Sequence, residues 1–116
     1  MSTFRKQVSL EKRKSESARI LGKYPELVPL ICERGGGSAS VPEIDKKKYL
    51  VPPDLTMGQF AYVIRKRMKL DAQKSMFLFV DGTLPNGSQQ MSHVYAEHKD
   101  DDGFLYVMYA GENTFG

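Results

Sequence analysis

Residues Phe104-Leu105-Tyr106-Val107-Met108-Tyr109 form an apolar run with no polar interruption. A strand with one wet face alternates apolar and polar side chains, and this one does not, so both of its faces must be covered. A chain of 116 residues has room for one domain, and this run belongs at the centre of its sheet. Everything else must be arranged so that one layer lies on each side of that strand.

The remaining elements follow from local signals. The first two dozen residues read as helix: Ser9 can cap, Leu10, Ser17, Leu21 and Tyr24 fall near one face, and Gly22 with Pro25 ends it. Its apolar stripe is thin, which places it on the domain and not at its middle. Val28–Glu33 and Lys48–Val51 read as strands, the second stopped by Pro52-Pro53, and together they suggest a hairpin across the loop Gly35-Gly36-Gly37-Ser38-Ala39-Ser40. Thr56-Met57-Gly58-Gln59 matches a capping box, with Leu55 and Phe60 at the two positions of a hydrophobic staple. Phe60, Val63, Ile64 and Met68 then form a core-facing stripe, while Arg65, Lys66, Arg67 and Lys69 point outward. Met76–Val80 is a short strand ending at Asp81-Gly82. Ser88 is positioned to cap a short helix carrying Met91, Val94 and Tyr95. The resulting order is helix, ββ, capped helix, β, short helix, β: an α+β chain of β-grasp order with its last strand central.

Charge and chemistry narrow the function. The net charge of +3 is unevenly spread. Residues 1–23 hold seven Lys/Arg against Glu11 and Glu16, residues 46–74 hold eight against Asp54 and Asp71, and Asp100-Asp101-Asp102 with Glu97 forms an acidic counterweight. A basic surface steers toward acidic peptides, anionic lipid heads or nucleic acid, but no nucleic-acid recognition motif accompanies it. The single cysteine, Cys32, lies in an apolar run and reads as a buried inert thiol. His93 and His98 have no metal-site spacing, the glycine loop lacks the Lys-Ser/Thr of a phosphate loop, and no serine or cysteine sits in a nucleophile motif. The expectation is a non-enzyme with no metal and no cofactor, in the cytosol or nucleus. Lys48-Tyr49-Leu50-Val51 puts Tyr49 and Val51 on one face and Lys48 and Leu50 on the other, and the lysines before it suit an exposed edge awaiting an acidic strand. Phe60, Val63 and Leu55 serve equally well as core.

A bare glycine, Gly116, ends a polar tail behind the last strand. Its unhindered carboxylate suits a narrow enzyme groove. Glu11-Lys12-Arg13-Lys14-Ser15-Glu16, Lys23-Tyr24-Pro25, Val28-Pro29, Asp45–Pro52, Asp54-Leu55-Thr56, Gly58-Gln59-Phe60, Ile64–Arg67, Phe79-Val80, Tyr95, Glu97-His98, Asp102, Phe104-Leu105-Tyr106 and Phe115-Gly116 occur in order over nearly the whole chain. In these residues the sequence resembles the autophagy ubiquitin-like modifiers of the GABARAP type. Glu26-Leu27 departs from the pattern, since relatives often place a base after the acid.

The resemblance implies a ubiquitin-like β-grasp with two extra N-terminal helices and a mixed four-stranded sheet. Residues 1–25 would be the helical segment, 26–110 the core and 111–116 a flexible conjugation tail. It implies activating and conjugating enzymes that pass Gly116 to phosphatidylethanolamine, a cysteine protease for deconjugation, and a location narrowed to the cytoplasm, with residence on the autophagosome membrane when lipidated. It also implies cargo receptors with an aromatic-x-x-aliphatic segment. Their aromatic residue would use Glu16, Ile20, Pro29, Ile31, Lys48, Leu50 and Phe104. Their aliphatic residue would use Tyr49, Val51, Pro52, Leu55, Phe60 and Val63. Lys46, Lys47 and Arg67 would meet flanking acids. The alternative is a peptide-binding trafficking adaptor that is never conjugated.

Overall fold

A computed structural model describes residues 2–35 and 40–112. Residues 113–116 of the tail expected over 111–116, and Gly36, Gly37, Ser38 and Ala39 of the glycine loop, lie outside the described residues. Among the described residues the order is α1 (Thr3–Gln7), α2 (Leu10–Lys23), β1 (Val28–Arg34), β2 (Lys48–Val51), α3 (Met57–Arg67), β3 (Phe77–Phe79), α4 (Met91–His98) and β4 (Leu105–Ala110). The sheet runs β2-β1-β4-β3. β1 and β4 pair in parallel and both outer pairings are antiparallel, which is the mixed β-grasp arrangement.

β4 is interior to the sheet, as its composition demands. Leu105, Val107 and Tyr109 join the main core with Leu30, Phe60, Ile64, Met91 and Val94. On the opposite face Tyr106 packs with Phe4, Ile31 and Phe104 beneath the N-terminal helices. α3 starts where the capping box places it: the Gln59 backbone N–H donates to Thr56 Oγ1 at 3.1 Å, and Gln59 Oε1 accepts from the Thr56 N–H at 2.9 Å. Phe60 and Ile64 are then fully buried.

Four local expectations are corrected. The N-terminal helical stretch is broken in two at Val8-Ser9, because Ser2 caps α1 and Ser9 caps α2, each accepting from a backbone N–H of its own first turn. Of the expected face, Ser17 is buried and Leu21 partly so, but Leu10 and Tyr24 are exposed, and Arg13 and Ile20 turn inward beside Ser17. Val63 is 42% exposed, one position off the Phe60–Ile64 stripe. Ser88 does not cap α4; Gln90 holds that position and Ser88 Oγ donates to Asn86 Oδ1.

The acidic stretch near residue 100 is also not simply a surface counterweight. Asp102 is 1% exposed. Its carboxylate accepts from Arg13 Nη1 at 2.7 Å, from Tyr106 Oη at 2.5 Å and from the Phe104 backbone N–H at 2.8 Å. Ser17 Oγ donates to its backbone carbonyl. Next to it, Gly103 has φ 92° and faces Ser17 so closely that any Cβ would collide with the hydroxyl. Arg5 adds a 2.7 Å ion pair to Asp100 and lies 3.9 Å from the centroid of the Tyr106 ring. Removing one partner from a buried, hydrogen-bonded ion pair leaves the other charge uncompensated, at a cost of about 3–5 kcal/mol. Asp102→Ala is therefore expected to destabilise the fold by about that amount in urea unfolding; a loss under about 1 kcal/mol would show that α2 docks by apolar contact alone.

Candidate functional site: the β2 edge

β2 lies at one edge of the sheet. Tyr109 sets how it arrives there: its hydroxyl donates to the Pro42 carbonyl at 2.9 Å and accepts from the Ile44 N–H at 3.0 Å. Those bonds, with buried Val41 and Ile44, hold the β1–β2 connection against the core. The chain then returns along β1 with Val28 opposite Val51 and Ile31 opposite Lys48. The Cys32 N–H donates to the Lys47 carbonyl at 2.8 Å. Antiparallel ladders alternate, so Tyr49 and Val51 also turn their backbone groups toward β1. Lys48 and Leu50 turn theirs off the outer edge, where no strand lies among the described residues.

The same alternation sorts the side chains. Lys48 and Leu50 share a face with Pro29 and Ile31, the face that α1 and α2 cover. Ile31 and Phe104 are fully buried there, with Ile20 partly buried above them and Leu50 38% exposed at the rim. Lys48 Nζ reaches Glu16 on α2 at 2.7 Å. Phe4, which sequence reasoning missed, meets the Phe104 ring edge-on at 5.7 Å and lies 5.2 Å from Lys48 Nζ. Its only sequence signal was an aromatic residue in an otherwise polar segment. Glu33 was missed too. Its buried carboxylate accepts from Ser2 Oγ and from the Phe4 N–H at 3.0 Å, so it fastens the start of α1 to β1.

On the other face Tyr49 packs edge-on against Phe60 at 5.5 Å between centroids. Val51 and Phe60 are buried, Leu55 is partly so, and Pro52 and Val63 remain exposed beside them. Ile20, Ile31 and Phe104 thus share one cluster beside the Glu16–Lys48 and Pro29–Leu50 pairs, Tyr49, Val51, Leu55 and Phe60 share the other, and Pro52 and Val63 join neither. The three cations expected to meet acids already have neighbours: Lys46 Nζ lies 5.1 Å from the Tyr49 centroid, Lys47 is 3.5 Å from Glu33, and Arg67 pairs with Asp45 at 2.9 Å.

Among the described residues the cysteine is buried and both histidines are engaged. Burial pushes the Cys32 thiol well above its ordinary range, which keeps it protonated. His93 pairs with Glu97, and His98 Nδ1 lies 2.8 Å from Asp81. Among the described residues no group of three or more His, Cys, Asp or Glu could hold a metal ion. No described helix is long and apolar enough to cross a membrane.

A β-grasp sheet with helices added at its N-terminus defines a ubiquitin-like protein. Comparison with known proteins makes this specific. The family model described as autophagy protein Atg8, ubiquitin-like, matches residues 12–116. The chain is 59% identical over 115 residues to Autophagy-related protein 8 of Kluyveromyces lactis, covering 99% of this chain and 92% of the relative. It is 60% identical over 115 residues to Autophagy-related protein 8a of Arabidopsis thaliana, covering 99% and 93%. The crystal structure of Trypanosoma brucei ATG8 superposes with a TM-score of 0.91 at 41% identity, covering 100% of this chain and 99% of that one. The chain belongs to the Atg8 family of ubiquitin-like autophagy proteins.

Burial raises the Tyr49 hydroxyl to about 12, and this oxygen is buried without a hydrogen-bond partner among the described residues. An unpartnered buried hydroxyl costs about 1–3 kcal/mol. Tyr49→Phe should therefore be neutral or stabilising by about 1 kcal/mol at pH 7 in urea unfolding. The native state holds its proton to higher pH than the unfolded chain, whose tyrosines titrate near 10, so stability is retained below about pH 10 and lost as pH rises toward 12. Tyr49→Phe should lose less over that window than the parent protein.

Proposed function

We propose that this protein is a transferred modifier and a peptide-binding platform. The Gly116 carboxylate attacks ATP on an activating enzyme, releasing pyrophosphate, and a cysteine thiol of that enzyme displaces AMP from the adenylate to give a thioester. A conjugating enzyme then carries it to phosphatidylethanolamine, whose amine nitrogen forms the amide as the C–S bond breaks and the thiol leaves. The protein is the group transferred, not the catalyst, and needs no cofactor. Two acyl chains suffice for stable membrane attachment, so the cytoplasmic protein becomes resident on the autophagosome membrane until a cysteine protease cuts the amide. Family membership over residues 12–116 supports this reading. In it, residues 1–25 are a docked helical segment, 26–110 the β-grasp core and 111–116 the conjugation tail.

The single observation that carries the platform half is the β2 edge, whose Lys48 and Leu50 backbone groups face outward between two apolar floors. An extended segment pairs with such an edge by its main chain and places alternate side chains on the two faces. Cargo receptors with an aromatic-x-x-aliphatic segment fit it. The aromatic residue goes toward Glu16, Ile20, Ile31 and Phe104, and the aliphatic one toward Val51, Leu55, Phe60 and Val63. Acids flanking that segment compete for Lys46, Lys47 and Arg67. Nucleic acid is not a partner in this reading.

In a reconstituted reaction with phosphatidylethanolamine liposomes, Gly116→Ala should abolish lipid conjugation with an unchanged thermal melt; undiminished conjugation refutes the terminal-glycine mechanism. Leu50→Ala removes an exposed rim side chain without opening the core, and should weaken an acidic aromatic-x-x-aliphatic peptide about tenfold by calorimetry, the equivalent of about 1.4 kcal/mol. Lost conjugation in the parent protein with intact peptide binding would favour the unconjugated trafficking adaptor.

A further inference from the structure

The C-terminal end of α3 opens into a hollow of about 480 Å³, on the side of the helix where Tyr62 lies. Its wall includes Tyr62, Arg65, Lys66, Lys69 and Lys74, together with Leu70 and Ala72. Among the described residues no acidic side chain lines it. The carboxylate of the neighbouring Asp71 is turned into its own loop, where it accepts from the Gln73 N–H at 2.9 Å. The volume lies in the range of small-ligand sites, roughly 300–1,000 Å³.

Cations at a helix C-terminus have an ordinary use, since they offset the negative end of the helix dipole. That accounts for Arg65 and Lys66 in the last turn, and for Arg67, which faces away to pair with Asp45. It does not account for Lys69 and Lys74, which lie beyond the helix. Lys69 is the more telling of the two. Its N–H donates to the Lys66 carbonyl at 3.2 Å, and the next N–H, from Leu70, reaches back to the Arg65 carbonyl at 3.1 Å. This pair of bonds is the Schellman ending, whose turning residue adopts a left-handed backbone that glycine takes without penalty. Here the residue is a lysine at φ 54°. Backbone cost is thus carried at one point, and the side chain obtained in exchange is a fourth positive charge on the hollow.

The side-chain donors of its lining are Lys66, Lys69, Lys74, Ser75, Gln73 and the Tyr62 hydroxyl, with Arg65, whose Nη2 also donates to the Asp71 carbonyl at 3.0 Å. Among the described residues no strand lines the hollow, so a peptide main chain has nothing to pair with, whereas a compact ligand with acceptors all round its surface does. Lysines act as point charges toward phosphate and need no planar fork. Lys66 Nζ, 5.3 Å from the Tyr62 centroid, stands over an aromatic ring that is 60% exposed. We propose that this hollow binds a small, multiply phosphorylated ligand of inositol-phosphate size, through Lys66, Lys69 and Lys74 around Tyr62. The phosphates belong either to a free metabolite or to a lipid headgroup.

The full-length protein tests this by calorimetry and by NMR titration with inositol hexakisphosphate. Saturable shifts centred on Tyr62, Leu70 and Ala72 are expected, weakening as salt is raised. The variant Lys66→Gln/Lys69→Gln/Lys74→Gln should lose roughly tenfold or more in affinity, about 1.4 kcal/mol per decade. The charge-matched variant Lys12→Gln/Lys14→Gln/Arg19→Gln on α2 should lose about twofold or less, as expected for distant, screened charges. Lys69→Gly should raise the melting temperature while weakening binding, a combination that a purely structural lysine would not produce. Vesicles of phosphatidylcholine with and without phosphatidylinositol 4,5-bisphosphate separate the sources: binding that requires the bisphosphate assigns a headgroup, and binding of the free probe alone assigns a metabolite. Equal losses in the two triple variants, equal binding to phosphatidylserine vesicles, equal affinity for a hexaglutamate peptide, or no saturable shift would each overturn the proposal.

Discussion

Asp102 is the point through which the N-terminal helices are joined to the sheet. Its carboxylate collects a guanidinium from α2, a phenol from β4 and a backbone N–H from the start of the last strand, while its carbonyl receives Ser17. A charge this deeply buried is tolerable only because every one of those groups is in place. Burial, and then the bond to Asp102, also holds the Tyr106 phenol up to about 12, so that its proton stays available to the carboxylate through the neutral range. Gly103 completes the joint by letting α2 come close enough for Ser17 to reach the chain. With α2 anchored there, the second face of the sheet is dry, and Ile31, Phe104 and Phe4 form a floor instead of a wet surface.

That covered face is what gives the β2 edge two chemically different sides. A ubiquitin-like sheet without added helices would offer an edge with one apolar face. Here the α3 side presents Val51, Phe60 and Leu55, and the α2 side presents Ile20, Ile31 and Phe104 under the Glu16–Lys48 ion pair. Glu33 performs a smaller version of the same task, tying the first helix to β1 through Ser2 and the Phe4 backbone. The two buried acids therefore fasten the helical layer to the two interior strands, Asp102 at β4 and Glu33 at β1.

Much of the architecture was legible locally. The capping box at Thr56 and Gln59 is a short-range hydrogen-bond pattern, so it survives unchanged into the structure. The unbroken apolar run of β4 required a central position and has one. The limits of local reasoning show at Val63, where a one-position error in helical phase turns a core residue into a rim residue. They show again at Leu10 and Tyr24: of the expected face Ser17 is buried, but Arg13 turns inward where Leu10 and Tyr24 do not, because the docking partner is a carboxylate and a carbonyl rather than a hydrophobic groove. Periodicity arguments assume apolar docking and fail when the joint is polar.

Local signals along the chain set the types and order of the elements after the N-terminal helical stretch, the central strand and the polarity of the two faces of Lys48–Val51, because helix caps and side-chain alternation act over only a few residues. Family resemblance was equally visible, since its motifs run the length of the chain. Tertiary structure decided which of Asp100, Asp101 and Asp102 is buried, that Phe4 joins the floor beside Phe104, and that Lys69 closes a basic hollow with Lys74. Each of those outcomes brings together groups far apart in the chain or in an unusual backbone state. A carboxylate, an aromatic ring or a lysine carries no local mark of the partner that folding will place beside it.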